Sequence, residues 1–462
     1  MTDTRLAALS RALPGTPRTA PVRIVHLGVG NFHRAHQAWY TQHAPDAAGW
    51  GIAAFSGRRP AAAAALAPQD GLYTLITRST DGDEFEVVGS LSAVHPASDH
   101  EQYLDYLRRP DVAVLTITVT EAGYLRGPDG GLAATDELDA DLASLRADPS
   151  RAVASLPAKL VAGLLARRTA GAGPITLLSC DNLPDNGEVT RRVTLEFAAR
   201  LDEDLARWVE RTVDFASSMV DRITPATTEG DRQLVAEHQG YLDAAPVATE
   251  PFSEWVISGA FPAGRPAWED AGATLVDDVA PFEQRKLWLL NGSHSLLAYT
   301  GSVRGHTSID EAIGDPACRD WVEQFWDEAE RHLLLQGDAI RDYRNALITR
   351  FSNPRIRHRL AQIAADGSIK LPVRILPTLR AERAAGRVPL GCATALAGWI
   401  LHLREEAVPV TDPRAEEYRQ AAAHPDLHRA VVDVVSLLDA ALADDQPLLA
   451  TVTDQARAVP TP

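Results

Sequence analysis

The sequence predicts an α/β protein with a Rossmann-type, mostly parallel sheet domain followed by a mainly α-helical C-terminal domain. Short β-rich runs alternate with helical segments through the first part of the chain, as in a parallel sheet covered on both faces. The first β-rich run stops at a Gly-x-Gly turn, and strand signals fade past Asp277. Because 462 residues exceed what a single core usually supports, we divide the chain into a dinucleotide-binding domain, 1–276, and a substrate and catalytic domain, 277–462.

The glycine turn follows the β-rich run at 21–27 and contains Gly28 and Gly30, with a helical segment directly after it. Strand, glycine turn and helix form the context in which a dinucleotide pyrophosphate binds a helix N-terminus. The third glycine of the common fingerprint is expected at position 33, where the chain has His33. The residues alone therefore leave open a dinucleotide-binding turn and an ordinary strand-turn-helix connection.

Later segments keep the alternation of strands and helices. We predict strands at 51–56, 72–78, 85–88, 112–118 and 175–180, and helices at 99–108, 154–168 and 188–209. Ligands bind beyond the C-terminal ends of strands in such sheets, so the polar segments at 118–124 and 179–187 are candidate ligand loops. Local turn chemistry is the alternative for both, since Asp, Asn, Pro and Gly form turns for local reasons.

The segment 281–300 is predicted as a helix that carries the chemistry. Lys286 and His294 are eight residues apart, two i, i+4 steps, and Asn291 lies one turn before His294, so three polar groups share one sector among apolar neighbours. Only three of the 45 basic Lys and Arg residues are lysine. Lysine can lose its proton near neutral pH and arginine cannot, which favours Lys286 as a general base. A surface helix with a hydrated polar stripe is the alternative.

Composition excludes several classes of function. Hydrophobic residues at 45% and charged residues at 23% are typical of a soluble globular protein. A net charge of −17 argues against nucleic-acid and anionic-membrane partners, which require a basic face. Cys180, Cys318 and Cys392 have neither disulfide-framework nor zinc-ligand spacing. We find no signal peptide or membrane span in the sequence, so we expect a cytoplasmic protein; its oligomeric state stays open, and a monomer is compatible with the sequence.

Five motifs in order resemble the mannitol dehydrogenase family of polyol-specific long-chain dehydrogenases, closest to its mannonate oxidoreductase (fructuronate reductase) branch. They lie at 28–36, 120–124, 179–184, 219–225 and 286–294. His33 agrees with this resemblance, because the glycine turn of the family is followed by Phe-His-Arg-Ala-His. The resemblance implies a metal-free, nicotinamide-dependent oxidoreductase that acts on CH–OH groups.

The resemblance also implies roles for single residues. Lys286 would be the general base in oxidation and the general acid in reduction. Asn182 and Asn291 would donate hydrogen bonds to the substrate oxygen as it becomes negative. His294 would hold a neighbouring hydroxyl, and Asp221 would lie near the substrate and the nicotinamide. Two further residues, Glu283 and Glu121, would take part in proton exchange with solvent.

Cofactor and substrate assignments complete the prediction. We assign cofactor binding to six residues of the first domain: Gly28, Gly30, Asn31, Phe32, Arg34 and Arg58. The cofactor is expected to be NAD, with NADP not excluded, because the segment 55–59 has arginines and no acid that would select a free ribose 2′-hydroxyl. We assign substrate contacts to Gln362, Lys370 and Arg374 in addition to Asp221.

Substrate choice depends on Gln362, where mannitol 2-dehydrogenases tend to have arginine. It favours D-mannonate and D-fructuronate over D-mannitol and D-fructose, and the carboxylate of a sugar acid would pair with Lys370 or Arg374. Because polyol enzymes of the family also have a lysine at the position of Lys370, this residue does not discriminate between the two substrates. Mannitol 2-dehydrogenase activity stays the second hypothesis. A dinucleotide-binding protein without turnover is a third, disfavoured because Lys286, Asn182, Asn291 and His294 are all present.

Overall fold

The structure is a computed structural model that describes residues 6–356, 358–405 and 409–459, with Glu405 described in its main chain only. The chain forms two compact units, Met1–Ala280 and Pro281–Pro462. The first contains sheets covered by helices and the second is helical. The predicted fold class is confirmed.

The first unit is built on an eight-stranded sheet in the order β13-β12-β9-β8-β7-β2-β3-β6, parallel except for the pairing of β12 with β9. The strands of this unit are β1 Ala7–Ala8, β2 Val22–Leu27, β3 Gly51–Phe55, β4 Tyr73–Ser79, β5 Gly82–Val88, β6 Leu91–His95, β7 Val114–Ile117, β8 Ile175–Ser179, β9 Val213–Asp221, β10 Tyr241–Leu242, β11 Val247–Thr249, β12 Glu254–Ser258 and β13 Thr274–Leu275.

Two predicted strands lie outside the large sheet. The segments predicted at 72–78 and 85–88 form an antiparallel hairpin, β4 and β5, with Ser79 opposite Gly82, and β11 joins its other edge. A connection this short joins only antiparallel neighbours, because parallel strands need a long crossover. The expectation that these two strands continue the parallel alternation was therefore wrong, although their positions were right.

Helices cover both faces of the large sheet. Those of the first unit are α1 Asn31–Ala35, α2 Gln37–His43, α3 Ala61–Leu66, α4 His100–Leu107, α5 Asp136–Ala147, α6 Leu156–Ala170, α7 Asn186–Leu201, α8 Glu203–Thr212 and α9 Glu229–Gln239, with 3₁₀ turns at Ala47–Gly49, Ala67–Gln69, Glu121–Tyr124 and Trp268–Ala271. The helix predicted at 188–209 is divided at Asp202, whose carboxylate accepts a hydrogen bond from the backbone N–H of Asp204 and begins α8.

Alternate residues of the central strands enter two hydrophobic layers. Val25 and Leu115 belong to one layer, and Ile24 and Val114 belong to the other. This is the pattern of strands buried on both faces, which show continuous apolar runs. The polar groups of this sheet are therefore found at its ends, where the candidate residues lie.

The described residues of the second unit form helices, one π-helical turn and one 3₁₀ turn. They are α10 Ala280–Arg285, a π-helical turn Lys286–Asn291, α11 Gly292–Val303, α12 Ile309–Gly314, α13 Pro316–Glu330, α14 Asp338–Phe351, α15 Leu360–Ile363, α16 Gly367–Arg374, α17 Leu376–Ala384, α18 Leu390–Glu405, α19 Ala415–Ala422, α20 Leu427–Leu438, a 3₁₀ turn Ala440–Leu442 and α21 Gln446–Ala458. Every residue of α11 from Gly292 to Ser302 is buried, so this helix is central to its unit.

The prediction of a continuous α-helix at 281–300 was wrong in one respect. Residues Lys286–Asn291 form a π-helical turn, in which bonds run from i to i+5 instead of i to i+4. Residues five apart then lie about one turn from each other, which applies to Lys286 and Asn291. In a regular helix the same spacing would direct the two side chains to different sides.

Candidate active site

Four neighbouring parallel strands of the first unit end at one edge of the sheet. In the order β2, β7, β8 and β9 they are followed by the glycine turn, by Thr118, by Cys180 and by Arg222. Both predicted ligand loops and the C-terminal residue of β9, Asp221, therefore lie along this edge. It is the edge at which open parallel sheets bind ligands.

The glycine turn requires glycine at Gly28 for two reasons. Its φ is +104°, and a Cβ there would lie 2.0 Å from the carbonyl oxygen of Thr118 on the neighbouring strand. Gly30 is different, because a Cβ built on it would meet only the Gly28 oxygen, at 3.7 Å. The space over Gly30 is open, which fits a ligand that approaches the backbone.

Asn31 and Arg34 hold the turn in place through bonds inside the protein. Asn31 Nδ2 donates to the Pro225 oxygen at 3.1 Å and to the Thr227 hydroxyl at 3.0 Å, and its Oδ1 accepts from Arg34 at 2.6 Å. The buried Arg34 guanidinium also donates to the carbonyls of Gly30 and Ala245. These two side chains therefore stabilise the backbone conformation of the turn.

Two buried histidines lie beneath the turn. The rings of His26 and His33 stack with centroids 3.3 Å apart and an angle of 8° between their planes. His26 Nδ1 lies 2.8 Å from the Thr116 hydroxyl and Nε2 lies 3.1 Å from the Thr118 hydroxyl, which itself donates to the Gly28 carbonyl at 2.9 Å. Burial lowers the pKa of His26 to about 3, so its ring is neutral.

The two remaining cofactor candidates lie apart from this hydrogen-bonded group. Phe32 is half-buried and stacks on the ring of His36 at 5.0 Å. Arg58 follows β3, and its side chain is 83% exposed, with its guanidinium 3.5 Å from the Glu137 carboxylate. An exposed pair of this kind contributes little stability, so Arg58 is available to an anionic ligand.

The strand-end loops place Glu121 and Asn182 at the surface of their unit, and Asp221 is buried. Between the loops, the buried Tyr124 hydroxyl donates a hydrogen bond to the Asp181 carboxylate. Burial raises the pKa of Asp181 to about 6, against the lowering effect of the Tyr124 bond. Sequence reasoning missed Tyr124 and Asp181, although both lie inside the two segments that it selected.

In the second unit, the carbonyls of the π turn are bonded to neighbouring groups. The Leu289 carbonyl accepts from the Ser293 hydroxyl at 2.6 Å and from the Trp326 indole at 3.1 Å. The Asn291 carbonyl accepts from Arg374 at 3.3 Å. A widened turn misaligns backbone groups that then need other partners, and these side chains provide them. Sequence periodicity gave no signal for Ser293 or Trp326.

Three candidates lie on or next to this turn. Lys286 and Asn291 are its first and last residues, and Glu283 lies one helical turn before Lys286. All three side chains are partly buried, so they are neither fully hydrated nor part of the core. The alternative of a surface helix does not describe this segment, because α11 continues directly into the core of the unit.

His294 is buried in a basic environment. Its ring packs edge-on against His358 at 4.9 Å and lies 5.2 Å from Phe351. Its Nε2 has no hydrogen-bond partner in the described part of the chain. Burial and then His358, Arg374, Arg350 and Lys286 hold the pKa of His294 well below its usual value, so the ring is neutral.

The substrate candidates of α15 and α16 have different environments. Gln362 is exposed, whereas Lys370 is half-buried and donates from Nζ to the Ile363 carbonyl at 3.1 Å. Burial and the neighbouring Arg374 lower the pKa of Lys370. Arg374 is half-buried and donates to the Ser295 hydroxyl at 3.2 Å, one residue from His294.

One cluster in the second unit has metal-ligand chemistry. Atoms of His306, Asp315 and Cys318 lie within 4.8 Å of one another. The Asp315 carboxylate already accepts from the Arg304 guanidinium at 2.6 Å and begins α13 by accepting from the Ala317 N–H. A guanidinium at this distance competes with a cation for the carboxylate, so the cluster is explained as structural.

Two family models match most of the chain. The mannitol dehydrogenase Rossmann domain matches residues 22–270, and the mannitol dehydrogenase C-terminal domain matches residues 278–459. No helix among the described residues combines the length and apolar character that crossing a membrane requires.

Relatives of this chain include proteins named for different activities. The chain is 38% identical over 414 residues to the D-mannonate oxidoreductase of Escherichia coli, covering 86% of this chain and 84% of that protein. It is 36% identical over 449 residues to the mannitol 2-dehydrogenase of Phaeosphaeria nodorum, covering 92% of this chain and 77% of that protein. The solved ternary complex of Pseudomonas fluorescens mannitol 2-dehydrogenase with NAD and D-mannitol matches with a TM-score of 0.77 and 34% identity, over 95% of this chain and 92% of that one.

Proposed function

The chain belongs to the mannitol dehydrogenase family of oxidoreductases, and we propose that it interconverts D-mannonate and D-fructuronate with a nicotinamide cofactor. In this proposal residues 1–276 bind the cofactor and residues 277–462 supply most of the substrate contacts. The bound cofactor would donate or accept the hydride, and the open backbone over Gly30 fits its approach.

The protein's own residues handle the proton and the developing charge. Lys286 takes the hydroxyl proton in oxidation and returns it in reduction. Asn182 and Asn291 donate to the substrate oxygen, with Asn291 directed by the π turn toward the side of Lys286. The neutral His294 holds a neighbouring hydroxyl and orients the substrate.

Three further residues complete the proposed site. Asp221 contacts the substrate near the nicotinamide. Glu283, one turn before Lys286, and Glu121, exposed at the end of β7, pass protons between the site and solvent. Exposure of Glu121 and partial burial of Glu283 are compatible with this exchange.

The observation that carries the choice of a sugar acid is the concentration of basic groups around His294. Arg374 bonds to Ser295 on the same helix, and Arg374, Arg350 and Lys286 all help to lower the pKa of the His294 ring. A chain of net charge −17 that gathers these groups in one place creates a local site for an anion. A carboxylate forms hydrogen bonds with such groups in which both partners are ionised, whereas a neutral polyol offers only uncharged acceptors.

Oxidation of D-mannitol to D-fructose is the second candidate. It is favoured by the relatives that carry the name mannitol 2-dehydrogenase, one of which was solved with NAD and D-mannitol. The exposed Gln362 remains our sequence marker for the sugar acid. A non-catalytic dinucleotide-binding protein is a weaker candidate, because the chain belongs to a family of oxidoreductases.

For the cofactor we propose NAD, with NADP as a second usable cofactor. A solved relative binds NAD. In this chain, however, the residues directly after β3, 56–59, include the exposed Arg58 and contain neither Asp nor Glu. An arginine at this position accommodates a 2′-phosphate, whereas an acid would favour the free 2′-hydroxyl.

Initial rates of NADH and NADPH oxidation by the purified protein test these proposals. D-Fructuronate, D-fructose and D-tagaturonate are compared at equal concentration. We expect D-fructuronate to give the highest rate with NADH. A preference for D-fructose would assign the chain to mannitol 2-dehydrogenase activity and would show that Gln362 does not mark the substrate. Absence of turnover with all three would contradict the proposed reaction.

A further inference from the structure

The two strand-end loops of the first unit are joined by a buried hydrogen-bond network. The Tyr124 side chain is fully buried, and its hydroxyl donates to the Asp181 carboxylate and lies 3.4 Å from the Ser179 hydroxyl. The Ser179 hydroxyl in turn lies 2.5 Å from that of Thr190 on α7. The loop after β7 is thereby linked to the loop after β8 and to the helix that follows it.

Asp181 and its neighbours hold the main chain on both sides of Asn182. The Asp181 carbonyl, which belongs to the peptide before Asn182, accepts from Asn186 Nδ2 at 3.1 Å. The Leu183 N–H, which belongs to the peptide after Asn182, donates to the Asp181 carboxylate at 3.1 Å. With both flanking peptides bonded, the direction of the Asn182 Cα–Cβ bond is fixed by its neighbours.

The same loop is anchored to β9, the fourth strand of the edge. Asn186 Nδ2 also donates to the Ser218 carbonyl at 2.8 Å, and Asn186 Oδ1 accepts from the Ser218 N–H at 3.1 Å. The Ser218 hydroxyl donates to the Ser179 carbonyl at 2.7 Å. Asn186 and Ser218 are buried, so these bonds are protected from exchange with water.

We infer that Tyr124 and Asp181 are positioning residues that hold Asn182 in the orientation needed to donate to the substrate oxygen. This inference rests on the proposed function, in which Asn182 is that donor. A donor to a developing oxyanion acts only when its direction is set before the reaction, and a misplacement of about 1 Å costs on the order of 100-fold in rate. The Tyr124 bond fixes the carboxylate that in turn fixes the peptide after Asn182.

The first test replaces Tyr124 with phenylalanine, which removes the hydroxyl and keeps the ring. Tyr103→Phe is the matched control, because Tyr103 is also fully buried in the first unit and donates a single hydrogen bond, to the Lys159 carbonyl at 3.1 Å. We expect Tyr124→Phe to lower kcat by about 10-fold or more while the KM for NADH stays within about twofold. A kcat equal to that of Tyr103→Phe would overturn the inference.

A double-mutant cycle with Asn182→Ala separates positioning from general stability. If Tyr124 acts through Asn182, adding Tyr124→Phe to Asn182→Ala changes kcat by less than about twofold. The same loss of kcat in both backgrounds would contradict the inference while leaving the proposed function intact. Wild-type kcat in Asn182→Ala would instead contradict the role of Asn182 in the proposed function, and the inference with it.

Asp181→Asn is the second variant, for the case in which Tyr124→Phe does not fold. The carboxamide keeps the size of the side chain but can no longer accept from both Tyr124 and Leu183 with two equivalent oxygens. We expect a loss of kcat of about 10-fold, again absent in the Asn182→Ala background. Full kcat in Asp181→Asn would overturn the inference independently of Tyr124.

Discussion

The sheet edge of the first unit and the π turn of the second build their polar sites in different ways. At the sheet edge, buried hydrogen bonds, such as those of His26 with Thr118 and Asn186 with Ser218, hold loops whose outer residues are exposed. At the π turn, basic side chains gather around a helix that departs from regular geometry. In the proposed mechanism, the first arrangement fixes the direction of the donor groups, and the second supplies positive charge and a proton.

This difference predicts different kinds of damage from mutation. Loss of a basic group at the π turn would remove a proposed participant in the reaction or in substrate recognition. Loss of a hydroxyl at the sheet edge leaves every participant present and changes only its direction. The expected effects on turnover therefore decrease from the lysine, through the arginine proposed to bind the substrate and the groups that support the turn, to the cofactor contact and the two buried histidines beneath the glycine turn, His26 and His33.

The largest effect is expected from Lys286→Ala. General acid–base catalysis contributes about 100-fold to 10,000-fold, so kcat should fall by that order while the Kd for NADH stays unchanged. Stopped-flow or steady-state rates and fluorescence titration with NADH measure the two quantities. Lys159→Ala is the matched control, because Lys159 is partly buried in the first unit and donates to the Ala97 carbonyl at 2.8 Å. Equal rates for the two variants would remove Lys286 from the mechanism.

Arg374→Ala should separate the two substrates. A hydrogen bond to a charged group contributes about 1.5–3 kcal/mol, so kcat/KM for D-fructuronate should fall by about 10-fold to 100-fold. The loss for D-fructose should be smaller, since it arises only from the lost bonds to Asn291 and Ser295. Arg380→Ala, at an exposed arginine paired with Asp439, is the control. An equal loss of kcat/KM for both substrates would mean that Arg374 does not bind the substrate carboxylate.

Ser293→Ala tests whether the π turn matters for catalysis. It removes the hydroxyl that donates to Leu289 and accepts from Trp326 at 2.7 Å, and we expect kcat to fall by about 10-fold through misplacement of Asn291. Ser302→Ala is a close control, because this buried hydroxyl on the same helix also donates to the carbonyl four residues earlier, at 2.6 Å. A similar kcat for the two variants would show that the support of the turn is structural only.

The sheet edge was largely predictable from the sequence, and the π turn was not. The edge follows from alternation of strands and helices, because parallel strands end on the same side, and this placed the segments 118–124 and 179–187 correctly. The Trp326 indole, which donates to the Leu289 carbonyl of the π turn, is distant in sequence and gives no local signal. Periodicity assumes regular helices, so it selected Lys286, Asn291 and His294 as candidates but did not predict the π-helical geometry that relates Lys286 to Asn291.

The antiparallel hairpin of β4 and β5 illustrates the same limit. Its strands were found from their composition, but their place in a separate sheet depends on pairing with β11, which is far along the chain. The bonds of Tyr124 to Asp181 are also long-range contacts. Local patterns predict which segments are strands or helices, and pairing between distant segments has to be observed.

Arg58→Ala should have a smaller effect and only with one cofactor. We expect the KM for NADPH to rise by about 3-fold to 10-fold, because a contact to the 2′-phosphate is lost, while the KM for NADH stays unchanged. Initial rates at varied cofactor concentration measure both constants. If both KM values change equally, Arg58 contacts a part that the two cofactors share.

The smallest effect on turnover is expected from the two buried histidines beneath the glycine turn, His26 and His33, which instead affect the free energy of unfolding at acid pH. Burial lowers the folded-state pKa of His26 to about 3, against about 6.5 in the unfolded chain. Above pH 6.5 the ring is neutral in both the folded and the unfolded chain, so His26 does not lower the free energy of unfolding. As pH falls below 6.5, only the unfolded chain takes the proton, so His26 lowers the free energy of unfolding by about 1.4 kcal/mol per pH unit.

His26→Gln tests this prediction. The free energy of unfolding is measured with denaturant at pH 7 and pH 5 for the wild type and the variant. Its decrease from pH 7 to pH 5 should be smaller in the variant by about 2 kcal/mol. Parallel losses would mean that His26 is hydrated enough to titrate normally in the folded chain.

Direct competition between substrates tests the central claim, that the basic groups near His294 select a sugar acid. Equal concentrations of D-fructuronate and D-fructose are incubated with the enzyme and limiting NADH, and the two alcohol products are quantified by chromatography. Their ratio equals the ratio of kcat/KM for the two substrates. We predict an excess of D-mannonate of about 100-fold, from one or two charge-assisted hydrogen bonds. A product mixture dominated by D-mannitol would contradict the claim.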